Sequence, residues 1–302
     1  MRPNPLFCVN DSTDGKYTLN ANAPENQMIY NKIIKTKEAV KMVKCSLCID
    51  LLYLEIGEHG PIFSDTEKLL AGMELAKKTG YQAVEFWDWA GRDYERLIAK
   101  KQELGLDVVA ICARDRGTLI DPSTYDKAVE GLKETIEVAK KFECPNIIYV
   151  PGGSPQTDRV SGHANIVAGL KKLAPFVEEA GLTLVLEPIV GEYFVDSKEA
   201  FDVLKEVGSP NVKLLYDIFH YQTMEGNVVS VMRDHMDLVG HIHAASVPGR
   251  NEIIDGELNY EYILKAIKEA GYNSYFGIEY MPTMDKEESV TKCKELIGKA
   301  LA

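Results

Sequence analysis

The sequence predicts an α/β fold, a (β/α)₈ barrel preceded by an N-terminal extension, on three observations. Short apolar or β-branched runs alternate from Met42 onward with longer stretches of helical periodicity, several of those stretches end at a glycine, and the unit occurs eight times. A doubly wound open sheet gives no reason for eight units, and no G-x-G-x-x-G follows the first strand. The 302 residues, 45% hydrophobic and 26% charged, supply apolar material for one sizeable core, and α/β barrels of about 250 residues form single domains.

The first segment, 1–41, is polar, rich in Asn and punctuated by Asp11, Asp14, Gly15 and Pro24, so it reads as an extension ahead of a barrel domain at 42–302. Strands are expected at 43–49, 82–87, 107–112, 146–150, 183–187, 213–217, 238–244 and 275–279. Helices fit between them: 65–79 before Gly80, 92–104 before Gly105, 123–142, 164–180 before Gly181, and 197–207 before Gly208. Later come 228–235, 260–270 before Gly271, and 286–300; these glycines stand where helix C-caps belong.

Charge narrows the partners. With 34 Lys+Arg against 46 Asp+Glu, a net charge of −12 opposes a polyanion, so nucleic acid is not an expected partner. No apolar run reaches the roughly 18 residues of a membrane span, and the first ten residues lack a basic start, so the expectation is a cytoplasmic protein. A homo-oligomer is among the open expectations for assembly. The six cysteines, among them Cys8, Cys112, Cys144 and Cys293, read as reduced packing residues. Cys45 and Cys48 form a C-x-x-C, but on a strand i and i+3 face opposite ways and no second pair completes a zinc site.

In such a barrel the chemistry sits at the C-terminal strand ends, and four consecutive strands end in polar groups. The fifth reads Leu186-Glu187-Pro188, the sixth Tyr216-Asp217-Ile218-Phe219-His220, the seventh His241-Ile242-His243, and the eighth Gly277-Ile278-Glu279-Tyr280. Neighbouring strands stand about 4.8 Å apart, so Glu187, Asp217, His243 and Glu279 can converge. Three desolvated carboxylates repel one another unless a cation compensates, and oxygen-rich ligation with one imidazole suits Mn²⁺ or Mg²⁺, with Co²⁺, Zn²⁺ or Fe²⁺ as alternatives. The plainer reading of each acid alone is a helix cap or a surface ion pair. His241 and His243 share a strand face, and His243 is preferred because it lies nearer the C-terminal end.

His220 opens the following loop within reach of a substrate oxygen, although helix capping explains it equally. Arg250 offers a planar fork suited to a carboxylate or a sugar hydroxyl, the plainer alternative being a surface salt bridge. Trp87 and Trp89 follow the second strand near Glu85, where an aromatic ring would stack on a sugar or close the pocket, although ordinary packing explains them as well; Glu85 and Trp87 are candidates for contact with the substrate. His163 and His235 fall in helices and His59 in a loop, as packing or surface residues. Gly152-Gly153 after the fourth strand reads as a tight turn rather than an anion cradle.

These strand-end segments, with Met224-Glu225-Gly226, Pro248-Gly249-Arg250 and Gly256-Glu257-Leu258-Asn259-Tyr260, closely resemble the hydroxypyruvate isomerase family of the xylose-isomerase-like TIM barrels, relatives of the ketose 3-epimerases. The resemblance runs in order from Val43 to Ala302. It implies a metal held by Glu187, Asp217, His243 and Glu279, with Glu187 and Glu279 as the acid/base pair and His220 and Arg250 on a small sugar or hydroxy-keto acid. Three departures stand out. Members of the family commonly carry Gln where His243 stands, whereas the epimerases carry His; 189–194 lacks an Asn-Arg type pair; and Glu252-Ile253-Ile254 replaces a Pro-Gly-rich loop. The extension at 1–41 is not part of the family pattern and is expected to fold over the barrel or to mediate assembly.

Overall fold

The computed structural model describes residues 43–58 and 60–302. The 1–41 extension, Cys8 and His59 lie outside the described residues. Eight parallel strands close a barrel: β1 (Lys44–Cys48), β2 (Ala83–Phe86), β3 (Asp107–Cys112), β4 (Asn146–Tyr149), β5 (Thr183–Leu186), β6 (Val212–Asp217), β7 (Val239–Ala244) and β8 (Tyr275–Ile278). Closure comes from β1 pairing with β8, Ser46 opposite Gly277. Around it run α1 (Thr66–Lys78), α2 (Tyr94–Leu104), α3 (Tyr125–Phe142), α4 (Arg159–Ala180), α5 (Ser197–Val207), α6 (Ile218–Met224), α7 (Val228–Asp234), α8 (Tyr260–Glu269) and α9 (Lys286–Leu301).

The helices start where acidic side chains satisfy the free N–H groups of their first turns. Asp65, Asp93, Asp158, Asp196 and Asp285 each accept a backbone N–H from the first turn of the helix they precede. Asp158 explains why α4 begins five residues before the expected 164. Gly105, Gly181 and Gly208 close their helices in the left-handed conformation, as expected. Two features were not expected from sequence: a hairpin of Glu55–Gly57 with Gly60–Ile62, and the short helix α6 directly after β6.

Two apolar regions hold the fold. The larger lies between strands and helices, where residues such as Phe86, Phe142, Leu170 and Phe276 are fully buried. The smaller fills one side of the barrel interior with Ala110, Ile148, Val185 and Leu215 from β3 to β6. The other side is polar: Ser46, Glu85, His241 and His243 are all buried. Cys45 and Cys48 are buried free thiols, in keeping with packing roles. His163 pairs with Glu206 at 2.8 Å and His235 stacks on Phe201. Gly152 and Gly153 have positive φ and press against Thr118 and Ile120, so the pair is a close-packed turn.

Candidate active site

The pleat repeats every two residues, so each strand that ends in a polar group at the mouth carries a second inward position two residues deeper. The mouth positions are Trp87, Glu187, Asp217, His243 and Glu279; the deeper ones are Glu85, Val185, Leu215, His241 and Gly277. One ligand atom each from Glu187, Asp217, His243 and Glu279 lie within 4.8 Å of one another, and none of the four residues is more than 6% exposed. The structure thus brings together all four residues expected to face a metal.

Asp217 combines both readings considered for it. Its Oδ1 caps α6 by accepting the Phe219 N–H at 2.8 Å and the His220 N–H at 3.3 Å, and its Oδ2 faces the cluster. The capping fixes the carboxylate plane, which aims the second oxygen. His220 is buried on the next turn, its Nε2 3.5 Å from Asp217 Oδ2 and 4.0 Å from Glu187 Oε1. The Val190 N–H points to His220 Nδ1 at 3.4 Å, which leaves Nε2 to carry the ring proton; that atom has no hydrogen-bond partner. Burial lowers the His220 pKa, favouring this neutral form.

Glu279 is the most heavily engaged carboxylate. Trp87 donates its indole N–H to Oε1 at 2.6 Å, and Arg250 forms an ion pair with Oε2 while reaching Asp217 Oδ2 at 3.4 Å. Burial alone would raise its pKa, but His243 and Arg250 outweigh burial and hold it below the usual carboxylate range. Glu187 has no such donors. Burial first, then the charge of Glu279, push its carboxyl up to about 8.

Glu85 does not stand at the mouth, where sequence reasoning expected it beside a substrate. Because Trp87 takes the mouth position of β2, Glu85 points into the deeper layer, where Oε2 lies 2.9 Å from His241 Nε2 and 2.8 Å from His243 Nε2 and Ser46 donates to Oε1. Burial would raise it, yet the facing imidazoles hold it well below the ordinary value. Gly277 makes room for this cluster: a Cβ there would sit 2.5 Å from Glu85 Oε1 and 2.8 Å from His243 Cδ2. His243 therefore presents Nδ1 to the mouth, 3.4 Å from Glu279 Oε2 and without a hydrogen bond.

Above the cluster opens a cavity of about 600 Å³ whose lining includes Phe63, Trp87, Cys112, Glu187, Ile189 and Arg250. Trp87 packs edge-on against Phe63, 5.9 Å between centroids, so the ring expected at the substrate does line the cavity. Sequence reasoning passed over Phe63, Gly277 and the charged loop after β3. A glycine inside an apolar strand and a charged run after a strand end were the available signals.

The donor set tests well for a divalent cation. An imidazole nitrogen without a partner faces three buried carboxylates, one of them driven to hold a proton by burial and by the charge of its carboxylate neighbour. Among the described residues a second group, Glu85, His241 and His243, also has ligand atoms within 4.8 Å of one another.

A barrel with this mouth falls among the xylose isomerase-like TIM barrels, and the sequence profile of that family matches residues 73–296. A human protein provisionally named hydroxypyruvate isomerase is 33% identical over 250 residues, 76% of this chain and 90% of its own length. The hydroxypyruvate isomerase of Escherichia coli strain K12 is 29% identical over 233 residues, 72% of this chain and 90% of its own. The chain belongs to the hydroxypyruvate isomerase family. Among solved structures, a D-allulose 3-epimerase from Methylomonas sp. superposes with a TM-score of 0.74 over 86% of this chain and 99% of its own; at 17% identity it shares the fold.

Proposed function

We propose that the protein is a divalent-metal-dependent isomerase of a small hydroxy-keto acid or sugar, of the hydroxypyruvate isomerase type, working through an enediolate with Glu187 and Glu279 as acid and base. The observation that carries this reading is the convergence at one cavity floor of ligand atoms from Glu187, Asp217, His243 and Glu279, all within 4.8 Å of one another, with both glutamates buried. Glu187, Asp217, His243 and Glu279 would hold the cation, Mn²⁺ or Mg²⁺ first and Co²⁺, Zn²⁺ or Fe²⁺ as alternatives, and it would supply Lewis-acid stabilisation to developing enediolate charge.

The chain's own groups do the rest. One glutamate removes the proton from the carbon beside the carbonyl and the other delivers a proton to the neighbouring position, each within the same small space. Trp87 fixes the carboxylate plane of Glu279, and His220 Nε2–H is free to donate to a substrate oxygen. Trp87 and Phe63 exclude water from one side. The five described cysteines are all free thiols, which suits a reducing cytoplasm. A ketose 3-epimerase is the second reading, favoured by an imidazole at His243. Isomerisation and epimerisation use the same groups and differ in which carbon is reprotonated and from which face.

The test is proton exchange. Mn²⁺-supplied protein in D₂O should incorporate deuterium beside the carbonyl of hydroxypyruvate and yield its isomer, and E187Q or E279Q should slow this at least about a hundredfold. Exchange with ketoses alone would move the protein to the epimerases. Full turnover in the E187Q/E279Q double variant would sink the acid/base assignment, and binding of sugars without exchange would mark a non-catalytic carbohydrate-binding relative.

A further inference from the structure

Four cationic side chains line the cavity, and three are already engaged. Arg250 is tied to Glu279 and Asp217 at the floor. Arg114 lies 3.5 Å from Asp115 and 3.4 Å from Glu134, with its guanidinium over the Trp89 ring, and Lys127 lies 3.6 Å from Asp115. Arg116 alone of the four has no ion pair and no side-chain hydrogen bond among the described residues.

Its backbone, in contrast, is firmly held. Tyr149 donates its hydroxyl to the Arg116 carbonyl at 2.6 Å. The next residue, Gly117, turns at φ 61° with a would-be Cβ 2.7 Å from the Thr124 Cβ, and the Thr118 N–H is bonded to Thr124 Oγ1 at 3.1 Å. Glu192 is a neighbouring carboxyl: burial raises its pKa and the Arg116 charge opposes that rise, yet no ion pair joins them. An arginine on a fixed turn that lines a substrate-sized cavity and forms no ion pair is suited to receive an anion.

We propose that Arg116 is the specificity-determining residue that receives the carboxylate of a 2-oxo acid substrate, in place of Arg250, whose charge is already paired through Nη2 with Glu279 and Asp217. This rests on the isomerase reading of the same cavity. The substrate lies with its reacting carbons over the glutamates and its carboxylate toward the loop after β3, and Arg116 separates acids from neutral ketoses.

The discriminating pair is hydroxypyruvate and dihydroxyacetone, which differ by a carboxylate against a hydroxymethyl group. In Mn²⁺-supplied full-length protein, R116M should lower the ratio of kcat/KM for the acid to that for the neutral ketone at least about tenfold, mainly through KM, and R116K should restore part of it. Circular dichroism of both variants guards against a folding defect, and calorimetric binding of hydroxypyruvate is read in parallel. Binding to wild type that weakens about tenfold in R116M, without any turnover, leaves Arg116 standing and removes the isomerase reading. An unchanged ratio in R116M, equal losses on both compounds, or wild-type protein that binds no acid overturns the assignment.

Discussion

His243 is held from behind by Glu85: its Nε2 lies 2.8 Å from Glu85 Oε2, while Nδ1 faces Glu279 Oε2 at 3.4 Å. A carboxylate behind an imidazole fixes the ring's orientation and keeps the opposite nitrogen available as a ligand. Glu85→Gln should therefore weaken Mn²⁺ binding about ten- to a hundredfold although Glu85 is no member of the mouth cluster. Calorimetric titration checks this; unchanged affinity would mean that packing alone orients the ring.

Cation binding should release protons. Without a cation, Glu187 is mostly protonated at pH 7, and His243 is charged because Glu279 and Glu85 overcome the burial that would otherwise discharge it. A cation competes with both protons, so roughly one to two should leave per Mn²⁺ bound at pH 7, and affinity should rise with pH toward about 8. Titration in two buffers of different ionisation enthalpy counts them. Chelation should abolish turnover, and re-addition of Mn²⁺ should restore it.

Glu252 fastens the loop after β7 to the start of α9. It is buried, accepts the Thr283 N–H at 2.8 Å and hydroxyl at 2.9 Å, and accepts the Ser289 hydroxyl at 2.8 Å. Burial opposes these donors, but together they lower its pKa below the ordinary 4.5. A depressed folded-state value means the stabilisation is complete above the unfolded value and is lost as pH falls through the folded one. Glu252→Gln should cost about 1–3 kcal/mol near pH 7, and the gap to wild type should narrow in acid below about pH 4, as urea melts across pH would reveal.

Gly277→Ala should be destabilising by about 1–3 kcal/mol, since its methyl would meet Glu85 and His243 with no room to yield. Gly298→Ala in α9 is the control: nothing lies within 4 Å of its added methyl, and helix propensity favours the change by about 0.5–1 kcal/mol. If the two variants melted alike, crowding at Gly277 would be excluded as a determinant of stability.

The barrel was legible because eight apolar runs, separated by helical periods, carry their own punctuation. The four cluster residues were legible because carboxylates and imidazole interrupt those runs at the strand ends. Depth was not. Glu85 and Trp87 share a face, and which one reaches the mouth depends on strand tilt and pairing register, which shifts between Val84 and Glu85 where β2 meets β3. Local spacing carries no information on either. Nor could it show that Asp217 would cap a helix with one oxygen and keep the other free, since that helix has only seven residues and little periodicity. Arg116 is invisible to spacing for another reason: its meaning lies in the missing counter-ion.

The chemistry and its selectivity come from separate stretches of chain. Residues 187–279 supply the cluster, whereas Phe63, Trp87, Cys112 and Arg116 come from loops and strand ends earlier in the sequence. The apolar fill of Ala110, Ile148, Val185 and Leu215 stands inside the same barrel as the polar half. Mutations that reshape the loops carrying Phe63 and Arg116, with Glu85 and Trp87 kept in place, can therefore accumulate without disturbing proton transfer, so the architecture permits substrate preference to drift under selection while the reaction type is inherited unchanged.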